Sequence, residues 1–297
     1  MIIKDNKELK QKDFINEKEL QNYFEKNLSK ILDFQFIDTE FAVGNFRIDT
    51  LAFDNETNAF RILEYKNIRS RSLVDQGYTY LKLLLERKAD FILKYNEKTN
   101  SNLRVNDVDW TQSRIVFVSP SYTEYQLNAT DFKNIPFDLI RVTKYENDIV
   151  DVDFIKKYSN VNVNEFMTDS KQKEVNQEVV VYTEEDHLSK LPDNIRNLYE
   201  SLKSEILELD DIDIVVQKHY ISFKGRTNII DVVLNNSKLK IYINMKKGTL
   251  EDYMNIAKDI SSLGHLGNGD YEIDVFNVDD IYKVIPLIKQ SIIKNKK

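Results

Sequence analysis

The sequence of 297 residues contains no cysteine and only three histidines, at positions 187, 219 and 265. Without thiolates, disulfides and cysteine-ligated metal sites are excluded, and three scattered histidines argue against structural zinc. The longest apolar stretches fall far short of the roughly 18 residues that a membrane helix needs, and the N-terminal stretch MIIKDNKELKQKD is too polar for a signal peptide. We therefore expect a soluble cytoplasmic protein.

An excess of basic charge is also missing, since the net charge is −7. Residues 1–160 contain 24 basic and 26 acidic residues, and the remainder contains 18 and 23, so the acidity lies mainly in the second part. The charge balance therefore gives no indication of the basic surface that is typical of nucleic-acid-binding proteins, but it does not exclude a nucleic-acid partner. With 41% hydrophobic and 31% charged residues, the composition is that of a globular protein.

Hydrophobic periodicity predicts a first domain over residues 1–165. Its helices and strands are expected in the order helix, three strands, helix, strand, helix, strand. The predicted ranges are helix 17–32, strands 34–43, 46–53 and 60–66, helix 72–88, strand 114–120, helix 121–133 and strand 137–145.

A polar, charged stretch over residues 166–187 predicts a linker, and residues 188–297 predict a smaller α+β domain. The expected elements of this second domain are helix 194–209, strands 212–217, 219–223, 228–234 and 238–245, helix 250–262, strand 271–276 and helix 279–293.

The segment RIDTLAFDNETNAFRILEYKN, residues 47–67, places charges in strand-like sequence. Its DNETNA portion is typical of a hairpin turn. If Phe53 pairs with Phe60, Asp49 faces Glu64 with Cβ atoms roughly 5 Å apart. Lys66 lies two residues further along and shares that face, because side chains alternate in a strand. The pattern predicts a charged cluster at one end of a core face.

Two carboxylates at the edge of a core suit a hard divalent cation such as Mg²⁺, which prefers oxygen ligands. Lys66 beside such an ion can hold a water or stabilise charge that grows on a phosphate. The alternative is a salt-bridge cluster at a strand end, without any metal.

Asp49 and the triplet Glu64-Tyr65-Lys66 resemble the Asp…(Asp/Glu)-x-Lys signature of the restriction-endonuclease-like superfamily, the PD-(D/E)xK nucleases. The resemblance covers roughly residues 15–145 and looks closest to the catalytic domain of archaeal mismatch and branched-DNA endonucleases. Ile48 stands where the proline of the signature would precede Asp49. The resemblance implies an α/β restriction-endonuclease-like core, αβββαβ, with a central mixed sheet flanked by helices.

The resemblance also implies a metal site for Mg²⁺ or Mn²⁺. Its ligands would be Asp49, Glu64 and the backbone carbonyl of Tyr65, with Glu25 on the first helix as a further ligand. Asp49 and Glu64 would thus serve catalysis through the metal.

Two further residues are assigned catalytic roles by the resemblance. Lys66 would act on the attacking water or the transition state, and Gln76 would orient a water or phosphate. Gln76 and Tyr80 match a Gln-x-x-x-Tyr feature of related nucleases, although Tyr80 also suits core packing.

The implied function is a metal-dependent nuclease that hydrolyses phosphodiester bonds, with DNA as the expected substrate. RNA as the substrate is left open, and so is endonuclease against exonuclease cleavage. Phosphate contacts are expected from four basic residues, Arg69, Arg71, Lys82 and Arg87, which alternatively form a solvated face.

A second hypothesis is a protein with a nuclease-like fold that lacks catalytic activity and serves as a binding or regulatory module. Residues 188–297 resemble a small domain of unknown function fused to nuclease-like domains, and they are expected to contact a protein partner or form a homodimer.

Overall fold

The computed structural model describes residues 3–4, 7–66, 73–159, 161–165 and 167–295. The chain divides into two compact units, Met1–Val181 and Tyr182–Lys297. Each unit has its own sheet and its own hydrophobic core. In the part of the chain that the structure describes, no helix has the length and apolar character required to cross a membrane.

The first unit combines short N-terminal strands, a large sheet and five α-helices among its described residues. The strands are β1 Ile3–Lys4, β2 Lys7–Glu8, β3 Gln11–Lys12, β4 Gln35–Val43, β5 Phe46–Asp54, β6 Ala59–Tyr65, β7 Arg114–Ser119, β8 Phe137–Tyr145 and β9 Val150–Phe154. The helices are α1 Glu17–Ile31, α2 Leu73–Glu86, α3 Lys88–Thr99, α4 Glu124–Thr130 and α5 Ser170–Glu178.

The large sheet has seven strands in the order β3-β8-β7-β6-β5-β4, with β9 paired to β8. The pairs β6–β7 and β7–β8 are parallel, and the other pairs are antiparallel. The predicted central mixed sheet flanked by helices is therefore confirmed.

Different helices cover the two faces of this sheet. On one face, α2 and α3 pack on hairpin side chains that include Leu51 and Phe60. On the other face, Phe24 and Leu28 of α1 pack against Leu63. Because side chains alternate along a strand, successive residues within β5, and likewise within β6, pack into the cores on opposite faces of the sheet.

Helix α1 begins where the sequence supplies a cap. The Asn16 side chain accepts a hydrogen bond from the Glu19 N–H at 2.9 Å, and the Glu19 carboxylate accepts the Ile15 N–H at 2.6 Å. Such reciprocal bonds satisfy amide groups that have no partner within the helix. The helix therefore has a fixed start and presents one apolar stripe to the sheet.

The second unit is an α+β arrangement with an antiparallel six-stranded sheet in the order β10-β11-β12-β13-β15-β14. Residues of α7 and α8, such as Leu202 and Ile288, pack into its core. The elements are helices α6 Glu184–Leu188, α7 Asp193–Leu207 and α8 Val278–Asn295, and strands β10 Asp213–Val216, β11 Ile221–Lys224, β12 Asn228–Asn235, β13 Lys238–Ile243, β14 Lys258–Asp259 and β15 Tyr271–Val275.

The segment predicted as a linker, 166–187, differs from a linker in the structure. Helix α5 lies within it, capped by the Asp169 side chain, which accepts the Lys171 N–H at 2.8 Å. Val175 and Val179 are almost fully buried in the core of the first unit. Two buried apolar residues four positions apart were too sparse to mark this helix in a polar segment.

The helix predicted over 250–262 was wrong. Side-chain oxygens of Asp252 accept the backbone N–H groups of Met254 and Ala257, and Asn255 has a φ of +51°. An aspartate that bonds nearby amides competes with helical hydrogen bonds, so the segment forms turns instead. Helix α3, in contrast, follows α2 directly and was missing from the predicted order.

Candidate functional site

The hairpin of β5 and β6 has the predicted register. Phe53 lies opposite Phe60, and Thr50 lies opposite Leu63. The turn is held by Asp54, whose carboxylate accepts the Glu56 N–H at 2.9 Å. The same register, extended by one residue beyond Thr50, sets Asp49 against Glu64.

The backbone hydrogen bonds between β5 and β6 end just before this acidic pair. Beyond that point, the Asp49 side chain accepts the next backbone N–H of β6. The Tyr65 N–H donates to Oδ2 of Asp49 at 3.0 Å. A backbone donor at the end of a ladder needs an acceptor when it lies away from water. This hydrogen bond therefore fixes the Asp49 carboxylate beside the strand that carries Glu64.

Glu64 is the most buried carboxylate of the site, with only 4% of its surface exposed. Its Oε1 accepts from Lys66 Nζ at 2.7 Å and also from the Gln76 amide. Its Oε2 is buried, and no group among the described residues donates to it. A buried carboxylate oxygen without a donor is unfavourable, so this atom could accept a cation or a donor that the described residues do not supply.

The electrostatics of the pair follow from burial and proximity. Burial first, and then the charge of the nearby Glu64 carboxylate, raise the pKa of Asp49 to about 7. The Tyr65 N–H and the Lys66 ammonium oppose this rise in the pKa. Since desolvation and a like charge both disfavour the ionised form, a cation between the two carboxylates would relieve both effects.

Gln76 and Tyr80 lie one turn apart on α2 and extend the network. The Gln76 amide nitrogen, which bonds Glu64, also lies 3.2 Å from the Tyr80 hydroxyl. That hydroxyl donates to the backbone carbonyl of Arg47 at 3.2 Å. Burial raises the pKa of Tyr80 to about 12, with Glu64 acting in the same direction. Tyr80 therefore combines core packing with support of the site.

Glu25 lies on α1, which covers the other face of the sheet. Its Oε1 accepts from the Thr50 hydroxyl at 2.6 Å and from the Gln21 amide at 2.9 Å. The structure thus places Glu25 among protein donors on the α1 side, whereas Glu64 faces α2.

Of the predicted phosphate contacts, Lys82 is half-buried and Arg87 is exposed, whereas the other two lie outside the described residues. Lys82 is 3.5 Å from Glu86, and Arg87 is 3.8 Å from Asp90, both as surface ion pairs within helical segments. Arg69 and Arg71 lie outside the described residues.

The donor set of the site fits a hard cation. Within the described ranges, no group of three histidine, cysteine, aspartate or glutamate side chains is placed to hold a metal ion. Mg²⁺ does not need such a group, because it commonly keeps several waters and binds through one or two carboxylates together with substrate phosphates. Asp49, Glu64 with its open Oε2, and the Tyr65 carbonyl suit this mode of binding.

One residue that the sequence interpretation missed is Gln21. It is 3% exposed, and its amide nitrogen lies 2.7 Å from the backbone carbonyl oxygen of Asp49. The available signal was a polar pair, Gln21 and Glu25, four residues apart beside the apolar stripe of α1. That pattern is also ordinary on solvated helix flanks, so it did not single out Gln21.

Most of the second unit matches a known domain family. Residues 184–291 match the family model of a domain of unknown function, DUF5655. The predicted resemblance of this part to such a domain is therefore confirmed.

The whole chain has a relative in Haemophilus influenzae described as an uncharacterized protein. The two are 46% identical over 288 residues, which cover 96% of this chain and 95% of the relative. The chain belongs to the same protein family as this relative.

Three solved structures resemble part of the chain. They are an EndoMS–dsDNA2 complex (22% identity, TM-score 0.29, 43% of this chain and 44% of that one), a repair endonuclease from Pyrococcus abyssi (23%, 0.28, 40% and 44%) and Pyrococcus furiosus SfsA with Ca²⁺ (14%, 0.23, 48% and 62%). In each case the chain spans less than two thirds of the length of the solved structure.

Proposed function

We propose that the first unit is a metal-dependent nuclease that hydrolyses phosphodiester bonds, with DNA as its substrate. The observation that carries this proposal is the pair of buried Glu64 and half-buried Asp49 beside Lys66, with Glu64 Oε2 lacking a donor among the described residues. The signature that these residues resemble adds support.

Asp49, Glu64 and the Tyr65 carbonyl would hold Mg²⁺ or Mn²⁺. Glu25 stays a proposed further ligand, although its present partners are Thr50 and Gln21 on the α1 side. Bound there, the ion would supply positive charge to the scissile phosphate and lower the pKa of a water. The acidic pair alone would repel a phosphate, so the ion is needed for substrate binding as well as for catalysis.

In the reaction, a water oxygen forms a bond to phosphorus while the bond to the leaving oxygen breaks. The water loses a proton and the leaving oxygen gains one. The Lys66 ammonium would orient the water or stabilise negative charge on the phosphate oxygens. Gln76 holds Glu64 through its amide and, in the proposal, leaves its carbonyl oxygen to orient a water.

The experiment is incubation of the full chain with end-labelled single-stranded, duplex and branched DNA, and with matched RNA, in Mg²⁺, Mn²⁺ or EDTA. We expect DNA cleavage with either metal and none in EDTA. Cleavage of none of these substrates with either metal would refute the proposal.

A second candidate is a nuclease-fold protein that binds nucleic acid without cleaving it. The ion pair between Lys66 and Glu64 favours this candidate, because Lys66 already has a protein partner. It predicts equal DNA binding with and without metal and no cleavage. A protein partner or a second copy bound through the second unit stays a prediction.

A further inference from the structure

The backbone that carries Asp49 is irregular on its β4 side. In the described strands, the pairs Thr39–Thr50 and Phe41–Ile48 flank the position where Glu40 would face Asp49, and the ladder omits that pair. Glu40 has a φ of +52°, in the left-handed region. A non-glycine residue persists in this conformation only where the surroundings hold it, often at functional sites.

Gln21 of α1 occupies the position beside this irregularity. Its amide nitrogen lies 2.7 Å from the Asp49 carbonyl oxygen, 3.1 Å from the Thr39 hydroxyl and 2.9 Å from Glu25 Oε1. Its carbonyl oxygen accepts from Lys18 Nζ at 3.0 Å. A nearly fully buried amide that makes this many contacts has one fixed orientation.

Asp49 is therefore anchored at two points, its backbone carbonyl and its side chain. Its carbonyl is held by Gln21 on the α1 side, and its carboxylate is held by the Tyr65 N–H on the strand side. Loss of the first anchor would release the β5 backbone where the regular ladder is already interrupted. The carboxylate would then lose its fixed distance from Glu64.

We propose that Gln21 is a positioning residue that holds the Asp49 carboxylate at the separation from Glu64 that a divalent cation requires. This inference rests on the proposed metal site. Groups that orient metal ligands commonly contribute 10- to 100-fold to metal affinity or activity.

The test is Gln21→Met, which keeps the length of the side chain but removes its amide. Isothermal titration calorimetry of the full chain with MnCl₂ alone should show a dissociation constant about 10- to 100-fold higher than in the wild type. In cleavage assays, the Mn²⁺ concentration for half-maximal rate should rise in parallel, with turnover recovering at saturating Mn²⁺.

The matched control is Gln126→Met. Gln126 is also buried in the first unit, where its carbonyl oxygen accepts the Thr123 N–H at 2.8 Å at the start of α4. This variant should lose stability but bind Mn²⁺ as the wild type does. A purely structural role for Gln21 predicts the same behaviour in both variants.

The outcomes separate the inference from the proposed function. If the wild type binds Mn²⁺ and cleaves DNA, and Gln21→Met has the same affinity for Mn²⁺, the inference alone is overturned. A wild type that binds no Mn²⁺ would overturn both the inference and the proposed function. If circular dichroism shows that Gln21→Met does not fold, Gln21→Asn replaces it. Its shorter amide cannot reach the Asp49 carbonyl, so Mn²⁺ affinity should again fall, and unchanged affinity would overturn the inference.

Discussion

The replacement Asp49→Asn distinguishes a metal site from a stabilising salt-bridge cluster. Asparagine keeps an oxygen that can accept the Tyr65 N–H, but it removes the negative charge beside Glu64. In the metal-free protein, an ionised carboxylate that serves as a metal ligand lowers the free energy of unfolding, because no cation compensates its charge. A carboxylate in an ion pair raises the free energy of unfolding. The two interpretations therefore predict opposite signs for the change in free energy of unfolding.

The pKa of Asp49 gives the magnitude. Burial first, and then Glu64, raise this pKa from 3.8 to about 7. At 1.36 kcal/mol for each pKa unit, a rise of about three units corresponds to at most about 4 kcal/mol. The folded state keeps its proton to higher pH than the unfolded state, so this group lowers stability as the pH rises from about 4 to about 7. Asp49→Asn should therefore be more stable than the wild type at pH 8, with the gain vanishing below pH 4.

The assay is urea unfolding in EDTA at pH 4 and at pH 8, followed by tryptophan fluorescence. Trp110, the single tryptophan, stacks on Phe60 with ring centroids 5.6 Å apart and so reports on the first unit. Asp54→Asn is the matched control, because Asp54 forms a buried ion pair with Arg61 at 2.6 Å. That variant leaves a buried charge unpaired and should lose about 3–5 kcal/mol.

Destabilisation of Asp49→Asn at pH 8, in the same direction as Asp54→Asn, would refute the reasoning. Asp49 would then be an ion-pair partner. Mg²⁺ gives an independent check, since ligand binding stabilises the folded state. It should raise the stability of the wild type and leave Asp49→Asn unchanged.

Three further predictions follow from the same geometry. Glu64→Gln should abolish metal-dependent cleavage while circular dichroism stays that of the wild type; full activity would contradict a ligand role. Lys66→Ala should lose about 10²- to 10³-fold in turnover yet still bind Mn²⁺ by calorimetry, and Lys66→Arg should not restore full activity, because the planar guanidinium is a different donor. A fragment of residues 1–181 should unfold at higher urea than residues 1–165, which lack Val179; equal midpoints would contradict the role of α5.

The sequence predicted the part of the site that depends on local pattern. The DNETNA turn sets the register of β5 and β6, and that register places Asp49, Glu64 and Lys66 on one face. Short-range rules of turns and alternation suffice for these three residues, because few competing arrangements satisfy both. Gln76, in contrast, was assigned by the resemblance, and its amide contacts Glu64 in the structure.

The rest depends on tertiary context. The left-handed Glu40 and the contact from Gln21 to the Asp49 carbonyl arise where α1 meets an interrupted ladder, and no local pattern marks that meeting. Helix α5 forms in a polar segment because Val175 and Val179 find an open core face. Intrinsic propensity is a weak guide in such segments, since packing overrides it.

Helix α5 also has a consequence for the order of events during synthesis. It packs beside α2, the helix that carries Gln76, and contributes Val179 to the same core. On the ribosome, the strands with Asp49 and Glu64 emerge well before α5, and domains fold as units as the chain is made. A nascent chain therefore carries the acidic hairpin with an unfinished core until α5 arrives, so the candidate site is completed only when the first unit has been fully translated.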